Sequence, residues 1–86
     1  MFFTYILYSR SINRYYIGHT SNLEHRLQNH LLGSTRFTSQ TNDWELIYSE
    51  EYATRGEAMK RESQIKRMKS RKFIEELTGH EGGRPE

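Results

Sequence analysis

The sequence contains no cysteine, a single proline and no long apolar run among its 86 residues. The lack of cysteine excludes disulfides and thiolate metal sites and is typical of a reducing compartment, so we expect a cytoplasmic location. No stretch approaches the roughly 18 apolar residues of a transmembrane helix, and the start of the chain shows no signal-peptide pattern, so no membrane partner is expected. This length predicts one small domain, without a separate recognition module.

Charge is nearly balanced overall, with 13 Lys or Arg against 11 Asp or Glu, but it is segregated along the chain. Residues 55–72 hold eight Lys or Arg and two Glu, whereas residues 73–86 hold one Arg and four Glu. A dense basic segment is typical of proteins that contact a phosphate backbone. Lys and Arg side chains that bind the phosphates release the counterions condensed on the nucleic acid, which favours binding. The alternative is a solvated helix surface that binds nothing. As a nucleic-acid interface the segment would use Lys60, Arg61, Lys66, Arg67, Lys69, Arg71 and Lys72.

The first half of the chain predicts a hairpin followed by a helix. Residues 2–8 and 14–18 are rich in aromatic and β-branched side chains, which favours two strands joined by a five-residue loop. Ser21 and Glu24 have the spacing of a capping box, so we expect a helix from Asn22. Its buried stripe and its end are predicted from the spacing of Leu23, Leu27, Leu31 and Gly33.

The second half predicts one strand and two helices. Residues 44–50 read as a strand that carries Trp44, Leu46 and Tyr48 on one face. A second capping box at residues 54–57 opens a helix that runs to about residue 68. A third helix is expected between Ser70 as its cap and Gly79 as its end, with an apolar side made of Phe73, Ile74 and Leu77.

These elements predict an α+β fold, a three-stranded antiparallel sheet flanked by helices in the order β-β-α-β-α-α. The domain is expected to span residues 1–78. Residues 79–86, which contain three glycines and the proline, are expected to form a flexible tail.

One acidic residue of the second helix is out of place for a core. Helical periodicity puts Ala58, Ile65 and Met68 on one side, and Glu62 falls inside that apolar stripe. Because burying an unpaired carboxylate costs several kcal/mol, Glu62 must be paired, protonated or directed at a cation in a cleft. The simplest pairing is an i, i+4 ion pair from Glu62 to Lys66.

The first helix and the hairpin offer further polar groups. Arg26 and His30 share one helix face, and an arginine beside a cleft can bind a phosphate through two nitrogens. The alternative is that Arg26 forms a surface ion pair and that His30 only ends the helix. The hairpin tyrosines are either core residues or, where a phenol reaches a polar cleft, proton-transfer groups. The histidines lack metal-binding spacing, so no zinc site is expected.

These residues together resemble the GIY-YIG nuclease superfamily, and in particular its small single-domain members. The resemblance rests on Phe3-Thr4-Tyr5, on Tyr16-Ile17-Gly18, on Arg26 eight residues further on, and on Ala58 with Glu62 in the basic helix. It covers residues 3 to about 77. The first half-motif lacks its leading glycine, and no asparagine follows Glu62.

The resemblance implies a single active site on one face of the sheet. It assigns catalytic roles to Tyr5, Tyr16, Arg26, His30 and Glu62, metal binding to Glu62, and a structural role to Gly18. It implies one Mg²⁺ or Mn²⁺ ion and a DNA substrate, with RNA as an alternative, cleaved by nicking in repair or recombination. A monomer or weak homodimer is expected. Because the two motif departures affect the site, the alternative is an inactive nucleic-acid-binding module; a protein-interaction adaptor has no specific support.

Overall fold

The computed structural model describes residues 1–31 and 41–80, apart from the side chains of residues 30 and 31. The elements follow the predicted order: β1 (Phe2–Ser9), β2 (Arg14–Thr20), α1 (Leu23–Leu31), β3 (Trp44–Tyr52), α2 (Arg55–Met68) and α3 (Arg71–Thr78). The predicted helix end at Gly33 and residues 81–86 of the predicted tail lie outside the described residues. None of the described helices is long and apolar enough to cross a membrane.

The three strands form one antiparallel sheet in the order β2-β1-β3, which confirms the predicted α+β fold. β1 lies in the centre, and its residues Thr4–Ser9 are buried, because helices cover both faces of the sheet. β2 is an edge strand. Its register with β1 places Gly18 opposite Tyr5 and His19 opposite Thr4.

The two faces of the sheet carry separate apolar clusters. On one face the buried residues Tyr5, Leu7 and Trp44 pack against Leu23 and Leu27 of α1, as the predicted leucine stripe requires. On the other face Ile6 packs with one buried residue from each of α2 and α3, Ile65 and Ile74. The fold therefore has three layers, with α1 on one side and α2 and α3 on the other.

Helix caps explain where the helices begin. Thr54 accepts a hydrogen bond from the Glu57 amide at 3.2 Å, and Ser70 accepts one from the Phe73 amide at 3.1 Å, which confirms both predicted caps. Gly79 ends α3 in the left-handed region with φ 70°.

The predicted cap of α1 is wrong by one residue. The Asn22 side chain, not that of Ser21, accepts the hydrogen bond from a first-turn amide, that of His25, at 3.0 Å. The helix therefore begins at Leu23 rather than Asn22. Asparagine is a strong N-cap residue, and the Asn22 amide is itself held by the Thr20 hydroxyl at 3.1 Å.

The predicted faces of β3 and α2 need two corrections. A register shift in β3 pairs Tyr48 with Ile6 but Leu46 with Leu7, so an extra residue lies between them. Because such a bulge reverses the alternation of side chains, Tyr48 packs in the Ile6 cluster while Trp44 lies in the Tyr5 cluster on the opposite face. In α2, Met68 is the last helical residue and is 53% exposed, so it does not belong to the buried stripe.

A carboxylate ties the hairpin loop to the start of β3. Asp43 accepts hydrogen bonds from the Ser9 hydroxyl at 2.5 Å, the Thr41 hydroxyl at 2.7 Å and the Ser11 amide at 2.9 Å. The hydroxyl bonds from Ser9 and Thr41, followed by the Ser11 amide, hold the pKa of Asp43 well below its usual range. The ionised form of Asp43 therefore stabilises the folded state.

We expect replacement of Asp43 by Asn to lower the melting temperature at neutral pH and to have little effect in strong acid. The folded-state pKa of Asp43 lies below its unfolded value, so its contribution is complete above about pH 4 and is lost as the pH falls through the folded-state pKa. Thermal unfolding of both proteins between neutral pH and about pH 2 measures the difference. A gap in melting temperature that stays constant over this range would contradict the assignment.

Candidate active site

The ring of Tyr5 lies over Gly18. Tyr5 belongs to the central strand, and its phenol end extends across the neighbouring edge strand β2 at the position of its cross-strand partner. A Cβ atom on Gly18 would stand 2.5 Å from the Tyr5 hydroxyl and 2.7 Å from Cζ, and 3.2 Å from Cε1 of Tyr16. Residue 18 must therefore lack a side chain for Tyr5 to occupy this position.

Arg26 of α1 is held by the same phenol. Its Nε donates to the Tyr5 hydroxyl at 3.3 Å. Burial, ahead of all other causes, raises the pKa of Tyr5 to about 12, and Tyr5 is only 1% exposed. The hydrogen bond with Tyr5 in turn raises the pKa of Arg26. Tyr5 is therefore a neutral phenol that positions a permanent positive charge.

Tyr16 completes this side of the site. Its ring lies 6.4 Å from that of Tyr5 and 6.4 Å from that of Trp44, between centroids. Unlike Tyr5, Tyr16 is only partly buried. It also contributes to the electrostatic environment that raises the pKa of Arg26. Tyr5, Tyr16 and Arg26 therefore form one cluster on the α1 side of the sheet.

Glu62 of α2 provides the anionic part of the site. One carboxylate oxygen lies 2.6 Å from Nδ1 of His19, and the other accepts from Nζ of Lys66 at 2.5 Å. The side chain is 17% exposed. This partial burial alone would raise the pKa of Glu62. Lys66 and His19 together outweigh the effect of burial, so the pKa of Glu62 lies below its usual value. Glu62 is therefore ionised at neutral pH, and the ion pair with Lys66 expected from the sequence is present.

The two halves lie on opposite faces of the sheet and meet at its edge strand, which corrects the expectation of a site on one face. Gly18 lies under Tyr5 on the α1 side, and the next residue, His19, points to the α2 side, where it contacts Glu62. The negative charge of Glu62 is one of the influences that raise the pKa of Tyr5. A cation held by a phenol and an ionised carboxylate are thus placed around residues 18 and 19 of β2.

His19 is the site residue that the sequence analysis missed. The histidines lack zinc-type spacing, and the family resemblance assigns a role to His30 alone. Strand alternation after Tyr16-Ile17-Gly18 was the available signal, because it sends residue 19 to the face that carries α2. His30 lies in α1 four residues after Arg26, and its side chain is outside the described residues.

The predicted basic interface divides into two groups. Lys60, Arg67, Lys69 and Lys72 are exposed on α2, its C-terminal end and α3. Arg61 instead forms a bidentate ion pair with Glu50 of β3, with distances of 2.8 and 3.2 Å. The same carboxylate accepts from Tyr48 and Tyr52 at 2.5 and 2.6 Å, so Arg61 is part of the packing of α2 on the sheet. Arg71 also has intramolecular partners, since it donates to the Asn13 carbonyl at 3.1 Å.

The residues present fit a divalent ion bound by a single carboxylate. Among the residues that the structure describes, no group of three or more His, Cys, Asp or Glu side chains is placed to hold a metal. Mg²⁺ commonly uses one or two protein carboxylates and takes its other ligands from water and phosphate oxygens. Glu62 supplies such a carboxylate in ionised form, and each of its oxygens has a second lone pair beyond those facing His19 and Lys66.

The chain is similar to members of one protein family. A family model described as the GIY-YIG catalytic domain matches residues 1–74. The UPF0213 protein OB0043 of Oceanobacillus iheyensis is 38% identical over 67 residues, which cover 77% of each chain. The UPF0213 protein SH2523 of Staphylococcus haemolyticus is 37% identical over 68 residues, 74% of this chain and 83% of the relative.

A solved structure shares the fold. It is the solution NMR structure of the UPF0213 protein BH0048 from Bacillus halodurans, with a TM-score of 0.58 and 27% sequence identity. The match covers 96% of this chain and 88% of that chain. Both the arrangement of the sheet and the small size of the domain therefore recur in a relative.

We expect Gly18→Ala to destabilise the protein by about 1–3 kcal/mol, because the added methyl group overlaps the buried Tyr5 phenol. Gly56→Ala in α2 is the matched control, since a Cβ there meets nothing within 4 Å, and we expect it to stabilise by about 0.5–1 kcal/mol. Denaturant unfolding of the two variants measures both changes. Equal effects of the two substitutions would show that Tyr5 does not need the space over Gly18.

Proposed function

We propose that this protein, which belongs to the GIY-YIG family, is an endonuclease that nicks DNA with the help of one divalent metal ion. One observation carries the proposal. The Tyr5–Arg26 pair and the ionised Glu62 lie around two consecutive residues of one edge strand. The domain is assigned to residues 1–78, of which the family model matches 1–74.

Arg26 binds the scissile phosphate. Phosphodiester cleavage builds negative charge on the phosphate oxygens, and a fixed cation stabilises that charge without reorganising during the reaction. Arg26 suits this role because the Tyr5 phenol and Tyr16 hold its guanidinium in place, and a guanidinium can bind a phosphate through two nitrogens. Tyr5 is thus a positioning residue.

Glu62 would hold the divalent ion, Mg²⁺ or Mn²⁺, which would neutralise phosphate charge and stabilise the leaving 3′ oxygen. Lys66, which contacts the same carboxylate, places a second positive charge beside this position. With one carboxylate and one site, a single protomer cleaves one strand.

Tyr16 is the group that handles the proton of the attacking water. Tyr5 is poorly suited to accept a proton, because its phenol is buried and its pKa is about 12. Tyr16 is partly exposed beside it and reaches the same space. General acid–base catalysis needs a group within hydrogen-bond reach of the water, and Tyr16 offers the accessible phenol of the pair.

The departure in the first half-motif is compatible with this function. Phe3 lies in β1, where it pairs with Thr20 and Glu51, and its backbone φ is not positive. The position therefore makes no demand that only glycine meets. The missing asparagine after Glu62 favours the second candidate function, an inactive nucleic-acid-binding module, and the first experiment below separates the two.

Purified protein is expected to nick supercoiled plasmid in Mg²⁺ or Mn²⁺ and to be inactive in EDTA. Glu62→Gln and Arg26→Ala should each lower the rate by about 10²–10³, because each removes a charge that stabilises the transition state. Glu76→Gln, an exposed acid on α3, serves as the control and should keep full activity. Unchanged cleavage by both variants would refute the mechanism. A wild-type protein that binds DNA but never cleaves would establish the binding module instead.

The roles of the two tyrosines are expected to separate kinetically. Tyr16→Phe should lower kcat by about 10²–10⁴ with little change in KM, since it removes the proton-transfer group. Tyr5→Phe should lower kcat less than Tyr16→Phe does, because Arg26 keeps its charge and loses only the acceptor that positions it. Steady-state nicking rates of a labelled duplex measure both constants. The assignment is reversed if Tyr16→Phe is active and Tyr5→Phe has the larger loss of kcat.

A further inference from the structure

A groove of about 300 Å³ lies between β2 and the corner where α2 meets α3. Its floor is apolar and includes Ile17 and Ile65. Its walls carry four cations from three elements: Arg14, Lys66, Lys69 and Arg71. We call this feature the basic groove.

The basic groove begins at the candidate active site. Lys66 lines the groove and also contacts Glu62. On β2, His19 at the active site and Ile17 in the groove lie on the same face, two residues apart, and Arg14 is at the far end of the strand. The path from residue 19 to residue 14 is about 16 Å long at roughly 3.3 Å per residue. A strand lying in the groove would therefore lead to Glu62 at the edge of the sheet.

Two of the four cations have no partner among the residues that the structure describes. Arg71 pairs with Glu75 at 3.5 Å, and Lys66 pairs with Glu62. Arg14 and Lys69 are exposed, and their side chains take part in no hydrogen bond or ion pair with the residues that the structure describes. Both residues line the groove, so their positive charge is available there to an anionic ligand.

Lys69 also has an unusual backbone. It ends α2 in the left-handed region, with φ 47° and ψ 38°. The equivalent position after α3 is occupied by Gly79, the residue that this conformation favours. A lysine here costs stability that glycine or asparagine would avoid, and such strained residues occur where function retains them.

We propose that the basic groove binds the phosphate backbone of the DNA strand next to the scissile phosphate, with Arg14 and Lys69 as its phosphate ligands. This inference rests on the proposed nuclease function and adds the direction in which the strand leaves the site. Phosphate contacts carry no base information, so the groove sets the position of the strand and leaves its sequence unread.

The test is binding of a short fluorescent DNA duplex, measured by anisotropy in EDTA over a range of salt concentrations. Lys69→Asn and Arg14→Gln should each weaken binding roughly 5- to 10-fold near 0.1 M salt and lower the slope of log K against log salt by about 1. Lys69→Arg should bind like the wild type. Because asparagine accepts the left-handed conformation, Lys69→Asn should melt no lower than the wild type.

Arg10→Gln is the matched control, since Arg10 is an exposed cation of the hairpin outside the groove and outside the predicted basic interface. Wild-type affinity and slope in both Lys69→Asn and Arg14→Gln would overturn the inference while leaving plasmid nicking, and so the proposed function, intact. An equal loss in Arg10→Gln would also overturn it, because general charge would then explain the binding. A wild type that neither binds nor nicks DNA would refute the proposed function itself. Tighter binding of a matching RNA duplex would assign the groove to RNA instead.

Discussion

The candidate site depends on the contact between the Tyr5 ring and the bare backbone of Gly18. Tyr5 belongs to the buried central strand, yet its hydroxyl reaches the edge of the sheet because residue 18 has no side chain. That position lets the phenol accept from Arg26 at the outer edge. A buried core residue thereby fixes the place of a half-buried charge, so the geometry of the site is set by packing rather than by loops.

Glu62 illustrates how a carboxylate stays charged while partly buried. Its two oxygens face two different basic partners, His19 from the sheet and Lys66 from its own helix, and together they outweigh the cost of desolvation. The arrangement satisfies the carboxylate in the free protein. It also keeps Glu62 ionised, which is the state a divalent ion requires.

Local signals predicted much of the fold, and contacts between distant elements account for what was missed. The cap at Thr54 and the helix end at Gly79 depend on neighbouring residues only, and both are where the sequence places them. The bulge that turns Tyr48 to the opposite face depends on pairing with β1, which no local pattern contains. In the same way, the sequence suggests Arg61 as a phosphate ligand, but in the folded protein it pairs with Glu50 of β3. The contact of His19 with Glu62 likewise depends on the packing of α2 against β2. Residues of the site that the family pattern supplied, such as Arg26, were found because that pattern already encodes such distant contacts.

The most direct test of the account is a crystal structure of the Tyr16→Phe variant with a DNA duplex and Mn²⁺, whose anomalous scattering locates the ion. The account predicts an anomalous peak at the Glu62 carboxylate and a DNA phosphate in contact with Arg26. An ion bound elsewhere, or DNA bound away from Arg26, would contradict the claim that these residues form one phosphodiester-cleaving site.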